Sequence, residues 1–66
     1  MTTIPTPERI RQIRESLGET QHVFANRLST HANQVSRWEL GKCRPRNYNH
    51  VATLIELDRE LARRGD

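Results

Sequence analysis

Apolar side chains recur every three or four residues along this chain, which is the spacing that gives a helix one buried face. Ile10, Ile13 and Leu17 form the first such stripe. Thr6 stands just before it, where a hydroxyl accepts a hydrogen bond from the free backbone N–H groups of a helix start. The pattern therefore predicts a first helix over about 7–17.

Three further stripes follow, each with a start or stop signal of its own. Thr20 and Asn47 are N-cap residues for the second and fourth helices, while Gly41 and Gly65 end the third and fourth. No strand is predicted, so the expected fold is all-α in a single domain, 1–66. The three helices are predicted over about 21–28, 32–40 and 47–64, with apolar positions at Val23, Phe24, Ala25, Leu28, Val35, Trp38, Val51, Leu54, Ile55, Leu57 and Leu61.

The distribution of charge is more informative than its total. The 66-residue chain has 33% hydrophobic and 29% charged residues and a formal net charge of +3. Residues 21–46 hold five basic side chains against the single acid Glu39, so the positive excess lies in the segment of the second and third helices. This indicates a surface that faces a polyanion, with ordinary solvated charge as the alternative.

Length and composition exclude several classes of protein. Sixty-six residues leave no room for a large catalytic cleft, and Ser36 has no activating partner at a fixed spacing, so no enzyme is expected. Cys43 is the single cysteine, which favours a cytoplasmic protein without a disulfide. No apolar run approaches the about 20 residues of a membrane helix. Because His22, His31 and His50 match no metal-ligand spacing, neither a metal nor another cofactor is expected.

Two short predicted helices, joined by the three-residue connector 29–31, lie inside the basic segment. Such a pair is the supersecondary unit that places its second helix in the major groove of DNA. Adjacent short helices also occur in small helical domains where they only pack together. The pattern by itself leaves both interpretations open.

About a dozen positions within 20–45 agree in type and order with a known pattern. They are Thr20-Gln21, Phe24-Ala25, Leu28, Val35-Ser36, Trp38-Glu39, Gly41 and Pro45. They resemble the phage-repressor and Cro-like helix-turn-helix family, which typically reads Ser-Gln-x-x-Leu-Ala-x-x-Leu-Gly-Val-Ser-x-x-x-Ile-Ser-x-Trp-Glu-x-Gly. The resemblance implies an all-α, compact four-helix (or five-helix) lambda-repressor-like DNA-binding domain. Its helix-turn-helix comprises the second and third helices, and its C-terminal helix is extended.

The resemblance also implies roles for individual side chains. Residues at the start of the third helix read base edges, whereas the second helix and the loop after the third contact phosphates. Trp38 is expected to anchor the third helix in the core, with a DNA contact through its indole N–H as the alternative. The implied base-reading residues are Ala32, Asn33, Gln34 and Arg37; the implied phosphate-binding residues are Gln21, Ser36, Lys42, Arg44 and Arg46; the implied structural ion pair is Arg14 with Glu39.

The sequence departs from the family pattern at three positions. Ser29 replaces the usual turn glycine, so a left-handed conformation there would carry about 1 kcal/mol of strain that glycine avoids. His31 replaces the usual Ser or Thr cap and leaves the start of the third helix to Thr30 or to the imidazole. Glu56 stands where family members often turn toward a fifth helix, so the last helix is expected to continue.

The extension of the last helix leaves two apolar residues beyond those that suffice for the core. Leu57 and Leu61, flanked by mixed charges, are therefore expected to form an exposed contact between the two copies of a homodimer. The alternative is that this end of the helix frays.

The expected function is that of a sequence-specific transcriptional regulator of a phage or mobile element. It would be an autoregulating repressor that binds an inverted-repeat DNA operator as a homodimer through the major groove, with no membrane partner. One alternative is the DNA-binding antitoxin of a toxin–antitoxin pair, which would also hold a toxin. Another is a helical protein-interaction module that does not bind DNA.

Overall fold

A computed structural model describes residues 4–64 of the chain. Within that range it contains four helices and no strand, which confirms the all-α fold class. Gly65, which was expected to end the last helix, lies outside the described residues. The helices are α1 (Pro7–Ser16), α2 (Gln21–Arg27), α3 (Ala32–Leu40) and α4 (Tyr48–Arg63).

Side-chain caps begin three of these four helices. The hydroxyls of Thr6 and Thr20 and the amide oxygen of Asn47 each accept a hydrogen bond from a backbone N–H two or three residues further on. These short-range bonds satisfy donors that a helix start leaves free, which explains why the sequence located the starts well. The N-cap residue of α3 is His31, and its side chain forms no capping bond.

The core forms where α3 packs against both α1 and α2 and where α4 packs along α1. Trp38 and Phe24 are its largest fully buried side chains. Each large apolar side chain that is removed from water contributes about 1.5–3 kcal/mol, so this small core is the main source of stability. The buried hydrophobic residues are Ile10, Ile13, Phe24, Ala25, Leu28, Val35, Trp38, Leu54 and Leu61.

The structure corrects the expectation for the end of α4. Leu61 is only 4% exposed, and Leu57 is half-buried against the core. Leu61 lies two helical turns after the buried Leu54, so both side chains lie on the face of α4 that covers α1. The expected exposed dimer contact at Leu57 and Leu61 is therefore wrong, because the chain's own α1 covers this face. An ion pair between Arg9 and Asp58 joins the same two helices.

A second correction concerns α2. Val23, which the apolar pattern assigned to the buried face, is exposed. Phe24 and Ala25 instead fill the contact of this seven-residue helix with the core. A helix of two turns has room for only a narrow buried stripe, and the adjacent Val23 falls outside it.

The connectors between helices contain three residues with a left-handed backbone. Gly18 and Gly41 follow α1 and α3 with φ values of 68° and 77°, as helix ends commonly require. Ser29, with a φ of 58°, is the one residue other than glycine in this region among residues 4–64. Its Cβ therefore introduces the strain that the departure from the family pattern predicts, about 1 kcal/mol. No helix in the described range is both long and apolar enough to cross a membrane.

Replacing Ser29 by glycine is expected to raise the free energy of unfolding by about 1 kcal/mol, because glycine adopts a positive φ without the Cβ clash. Gly18→Ala is the matched reverse change. A Cβ added at Gly18 meets nothing within 4 Å, so backbone strain alone should lower the stability of that variant. Thermal and urea unfolding measure both effects. A Ser29→Gly variant that is less stable than the wild type would contradict this account of the turn.

Candidate nucleic-acid interface

The carboxylate of Glu39 lies at the junction of α1 and α3. The Nε atom of Arg14 is 2.7 Å from Glu39 Oε2, and its Nη2 atom donates to Oε1 at 3.2 Å. The remaining guanidinium nitrogen, Nη1, donates to the backbone carbonyl of Glu19 at 2.9 Å. The side chains of Arg14 and Glu39 are 16% and 6% exposed. The chain therefore forms the expected ion pair, with the two-point geometry in which Arg binds carboxylate most strongly.

A second donor reaches the same carboxylate from α2. The amide nitrogen of Gln21 donates to Glu39 Oε1 at 3.1 Å. Because Gln21 lies in the first turn of α2, the single carboxylate joins α1, α2 and α3. The hydrogen bond to Glu39 raises the pKa of Arg14, although burial acts in the opposite direction, so this guanidinium keeps its charge.

Arg27 is also paired within the protein. Its guanidinium forms an ion pair with Glu19, and this hydrogen bond raises the pKa of Arg27 against the opposing effect of burial. The charge of Arg27 is thus balanced locally. The unbalanced charge of the basic segment comes instead from the four side chains that pair with no carboxylate in the described range: Arg37, Lys42, Arg44 and Arg46.

The outer surface of α3 presents three of the four predicted base-reading side chains. Asn33 and Arg37 are exposed and lie four residues apart, which places them on one face of the helix. Ala32, which was also expected to read bases, is half-buried beside them, as is Ser36, which was expected to bind phosphate. This face can therefore present an amide, a guanidinium and a small methyl group to the same ligand.

Gln34 lies apart from this face. It is half-buried, and its amide nitrogen donates to the Sγ atom of Cys43 at 3.5 Å. It also lines a cleft with Trp38, Arg44 and Arg46. The structure thus directs Gln34 toward the loop after α3, whereas the sequence placed it among the base-reading residues.

The loop after α3 alternates between inward and outward side chains. Cys43 packs against the core and Pro45 is buried, whereas Lys42, Arg44 and Arg46 are exposed. Two anchored residues therefore fix the backbone between three basic side chains. The expected phosphate-binding residues of this loop lie together on the surface, next to the exposed face of α3.

Trp38 is a core residue. Its side chain is 1% exposed, and its ring packs edge-on against His50 with centroids 5.3 Å apart. The indole Nε1 is buried without a hydrogen-bond partner among residues 4–64. This burial supports the role of Trp38 as the anchor of α3 and speaks against the alternative contact with DNA.

A polar cleft between α2 and α3, to which the sequence gave no role, borders the exposed face of α3. We call it the α2–α3 cleft, and it contains two of the three histidines. The only sequence signal for it is the unusual histidine at the cap position of α3. Its lining residues are His22, Asn26, Thr30, His31, Ala32 and Asn33.

Comparisons with family models, with curated proteins and with solved structures find no match to this chain. Within the described range, no three side chains among His, Cys, Asp and Glu cluster in a way that could hold a metal ion. A function is therefore inferred from the residues and their geometry.

Arg14→Ala and Glu39→Ala are each expected to lower the free energy of unfolding by about 2–4 kcal/mol, because each leaves a poorly hydrated charge without its partner. The double variant is expected to lose less than the sum of the two single variants. Arg11→Ala is the control, since it breaks only an exposed ion pair with Glu15, worth about 0.5 kcal/mol. Urea unfolding of the four variants measures these differences. Single variants that lose no more than Arg11→Ala would show that the buried pair does not stabilise the fold.

Proposed function

We propose that this chain is a sequence-specific DNA-binding domain of the lambda-repressor-like fold, in which α2 and α3 form a helix-turn-helix. The observation that carries the proposal is the surface formed by Arg37, Lys42, Arg44 and Arg46, none of which pairs with an acid of the described range. The one acid of the basic segment, Glu39, is turned inward. DNA attracts such a surface because each bound phosphate releases condensed counterions.

In this proposal α3 enters the major groove with its exposed face toward the bases. Asn33 has the donor and acceptor needed to pair with adenine N6 and N7, and Arg37 has the two parallel donors needed for guanine O6 and N7. Ala32 can contact a thymine methyl group. Each good bidentate pair is worth about 1–3 kcal/mol of discrimination between bases.

The phosphate contacts come from both sides of this helix. Lys42, Arg44 and Arg46 follow its C-terminal end, where the anchored loop holds them on the surface. Gln21 lies at the start of α2, and its amide group has a second N–H donor besides the one bound to Glu39. Such contacts position the protein on the duplex without reading sequence.

We further propose that two copies bind an inverted repeat and that the protein represses its own gene. One α3 reads only a few base pairs, and a two-fold arrangement doubles the number of bases that are recognised. The covered Leu61 leaves the end of α4 without the exposed apolar pair that would have formed the dimer contact. The homodimer is therefore inferred from the needs of sequence recognition, and its contact surface is not assigned.

A second candidate function is that of a DNA-binding antitoxin, which would bind a toxin as well as DNA. Its contact with a toxin would use exposed apolar side chains such as Tyr48 and Leu40, which are 83% and 66% exposed. A toxin-like reading frame beside the gene, whose product copurifies with this chain, would distinguish the antitoxin from a repressor acting alone.

Selection of bound sequences from random DNA is the direct test of the proposed function. The expected result is a two-fold symmetric site whose half-sites contain fixed adenine and guanine positions. Sedimentation of the complex should give two copies of the chain for each site. Failure to enrich any sequence, together with no salt-dependent mobility shift on any duplex, would favour a helical protein-interaction module instead.

Two classes of variant should separate base reading from phosphate binding. Arg37→Ala is expected to relax selection at one position of each half-site, at a cost of about 1–3 kcal/mol for the preferred base. Arg44→Gln is expected to weaken binding to all sequences equally. It should also make the affinity less sensitive to salt: the slope of log K against log salt should decrease in magnitude by about one for each phosphate that the variant no longer binds. Arg63→Gln, which removes an equal charge at the end of α4, is the control and should change neither quantity. An effect of Arg44→Gln on one sequence alone would contradict its assignment to the backbone.

A further inference from the structure

The α2–α3 cleft places two exposed histidines next to the residues proposed to read bases. His22 comes from the first turn of α2, and His31 precedes α3. Ala32 and Asn33 also line this cleft. Both imidazoles are therefore carried by the two segments that approach the duplex if α3 enters the major groove.

We propose that His22 and His31 are two further contacts to the DNA backbone, which bind phosphate as protonated imidazolium, so that binding DNA takes up protons. The proposal rests on the proposed DNA-binding function and adds to it. It assigns binding residues that neither the charge pattern nor the family resemblance indicated, and it makes the affinity for DNA depend on pH.

Their position supports a phosphate contact. His22 directly follows Gln21, the residue proposed to bind phosphate at the start of α2. His31 is the N-cap of α3, yet its side chain is exposed and forms no capping bond. In a helix-turn-helix the first helix crosses the DNA backbone while the second lies in the major groove, and His22 and His31 belong to the starts of these two helices.

Near the cleft, no unpaired acidic side chain of the described residues would compete with a phosphate for the two histidines. Among residues 4–64, those that line the cleft include no carboxylate and no Lys or Arg. The acids adjoining α2 and on α3 are Glu19 and Glu39, and each already pairs with an arginine, Arg27 and Arg14 respectively. The remaining charged side chain on these elements is Arg37, which has the same sign as imidazolium. Phosphate is thus the anion that would balance a proton on either ring.

The direction of the pH effect follows from this arrangement. A phosphate bound beside an imidazole favours the protonated form of the ring. The complex therefore holds more protons than the free protein, and the affinity rises as the pH falls. Each proton taken up on binding contributes up to about tenfold in affinity for each pH unit. For two rings we expect an increase of at least about tenfold between pH 8 and pH 6 at fixed salt.

The test measures the affinity for the selected DNA site from pH 8 to pH 6 at constant ionic strength. The wild type should bind more tightly at pH 6, and the His22→Gln/His31→Gln double variant should lose most of this increase. His50→Gln is the matched control, because the third histidine packs against Trp38 outside the cleft, and it should keep the increase. His22→Lys/His31→Lys fixes the charge and should bind at pH 8 nearly as tightly as at pH 6.

Several outcomes would overturn the proposal. The first is a wild-type affinity that does not change with pH. The second is a pH dependence that persists in the His22→Gln/His31→Gln double variant, and the third is a pH dependence that is lost in His50→Gln. Because His22 and His31 are exposed, both double variants should melt at the wild-type temperature, which separates an effect on binding from an effect on folding. Absence of DNA binding at every pH would reject the proposed function itself, whereas pH-independent binding would reject only this inference.

Discussion

The hydrogen-bonded carboxylate of Glu39 fixes the arrangement on which the remaining surface depends. Arg14 binds it from α1 and Gln21 binds it from α2, while Glu39 itself belongs to α3. A charge this well covered is costly unless it is paired, and this relative placement of the three helices supplies its partners. The outward direction of Asn33 and Arg37 follows, because they lie on the same helix as Glu39. Packing around Trp38 stabilises the fold, and the Glu39 carboxylate fixes the orientation of α3 relative to α1 and α2.

The helices were predictable because their signals are local. Capping side chains at Thr6, Thr20 and Asn47 lie within three residues of the N–H groups that they bind, so a sequence shows both partners. The burial of Leu61 was not predictable in this way, since it depends on α4 lying along α1. Periodicity indicates which residues share a face, but tertiary packing decides how far along the helix that face stays covered.

The candidate interface likewise has parts that the sequence predicted and parts that depend on how the helices pack. The ion pair of Arg14 with Glu39 was expected because the family resemblance relates residues that are distant in sequence. The outward loop residues Lys42, Arg44 and Arg46 were expected from their charge, although only the structure shows that the buried Pro45 holds them in place. The α2–α3 cleft was missed because His22 and His31 become neighbours only through the angle between two helices.

The connector between α2 and α3 contains two features that lower the local stability of the chain. Ser29 holds a left-handed backbone without glycine, and His31 begins α3 without a side-chain cap, each at a cost of about 1 kcal/mol. The connector nevertheless keeps its shape, because Leu28 and Val35 on either side are buried and the Thr30 N–H donates to the Ala25 carbonyl at 2.9 Å. Local conflicts that the surrounding packing overrides are common where residues serve a ligand. Their location beside Asn33 places these local conflicts next to the face of α3 that is proposed to read bases.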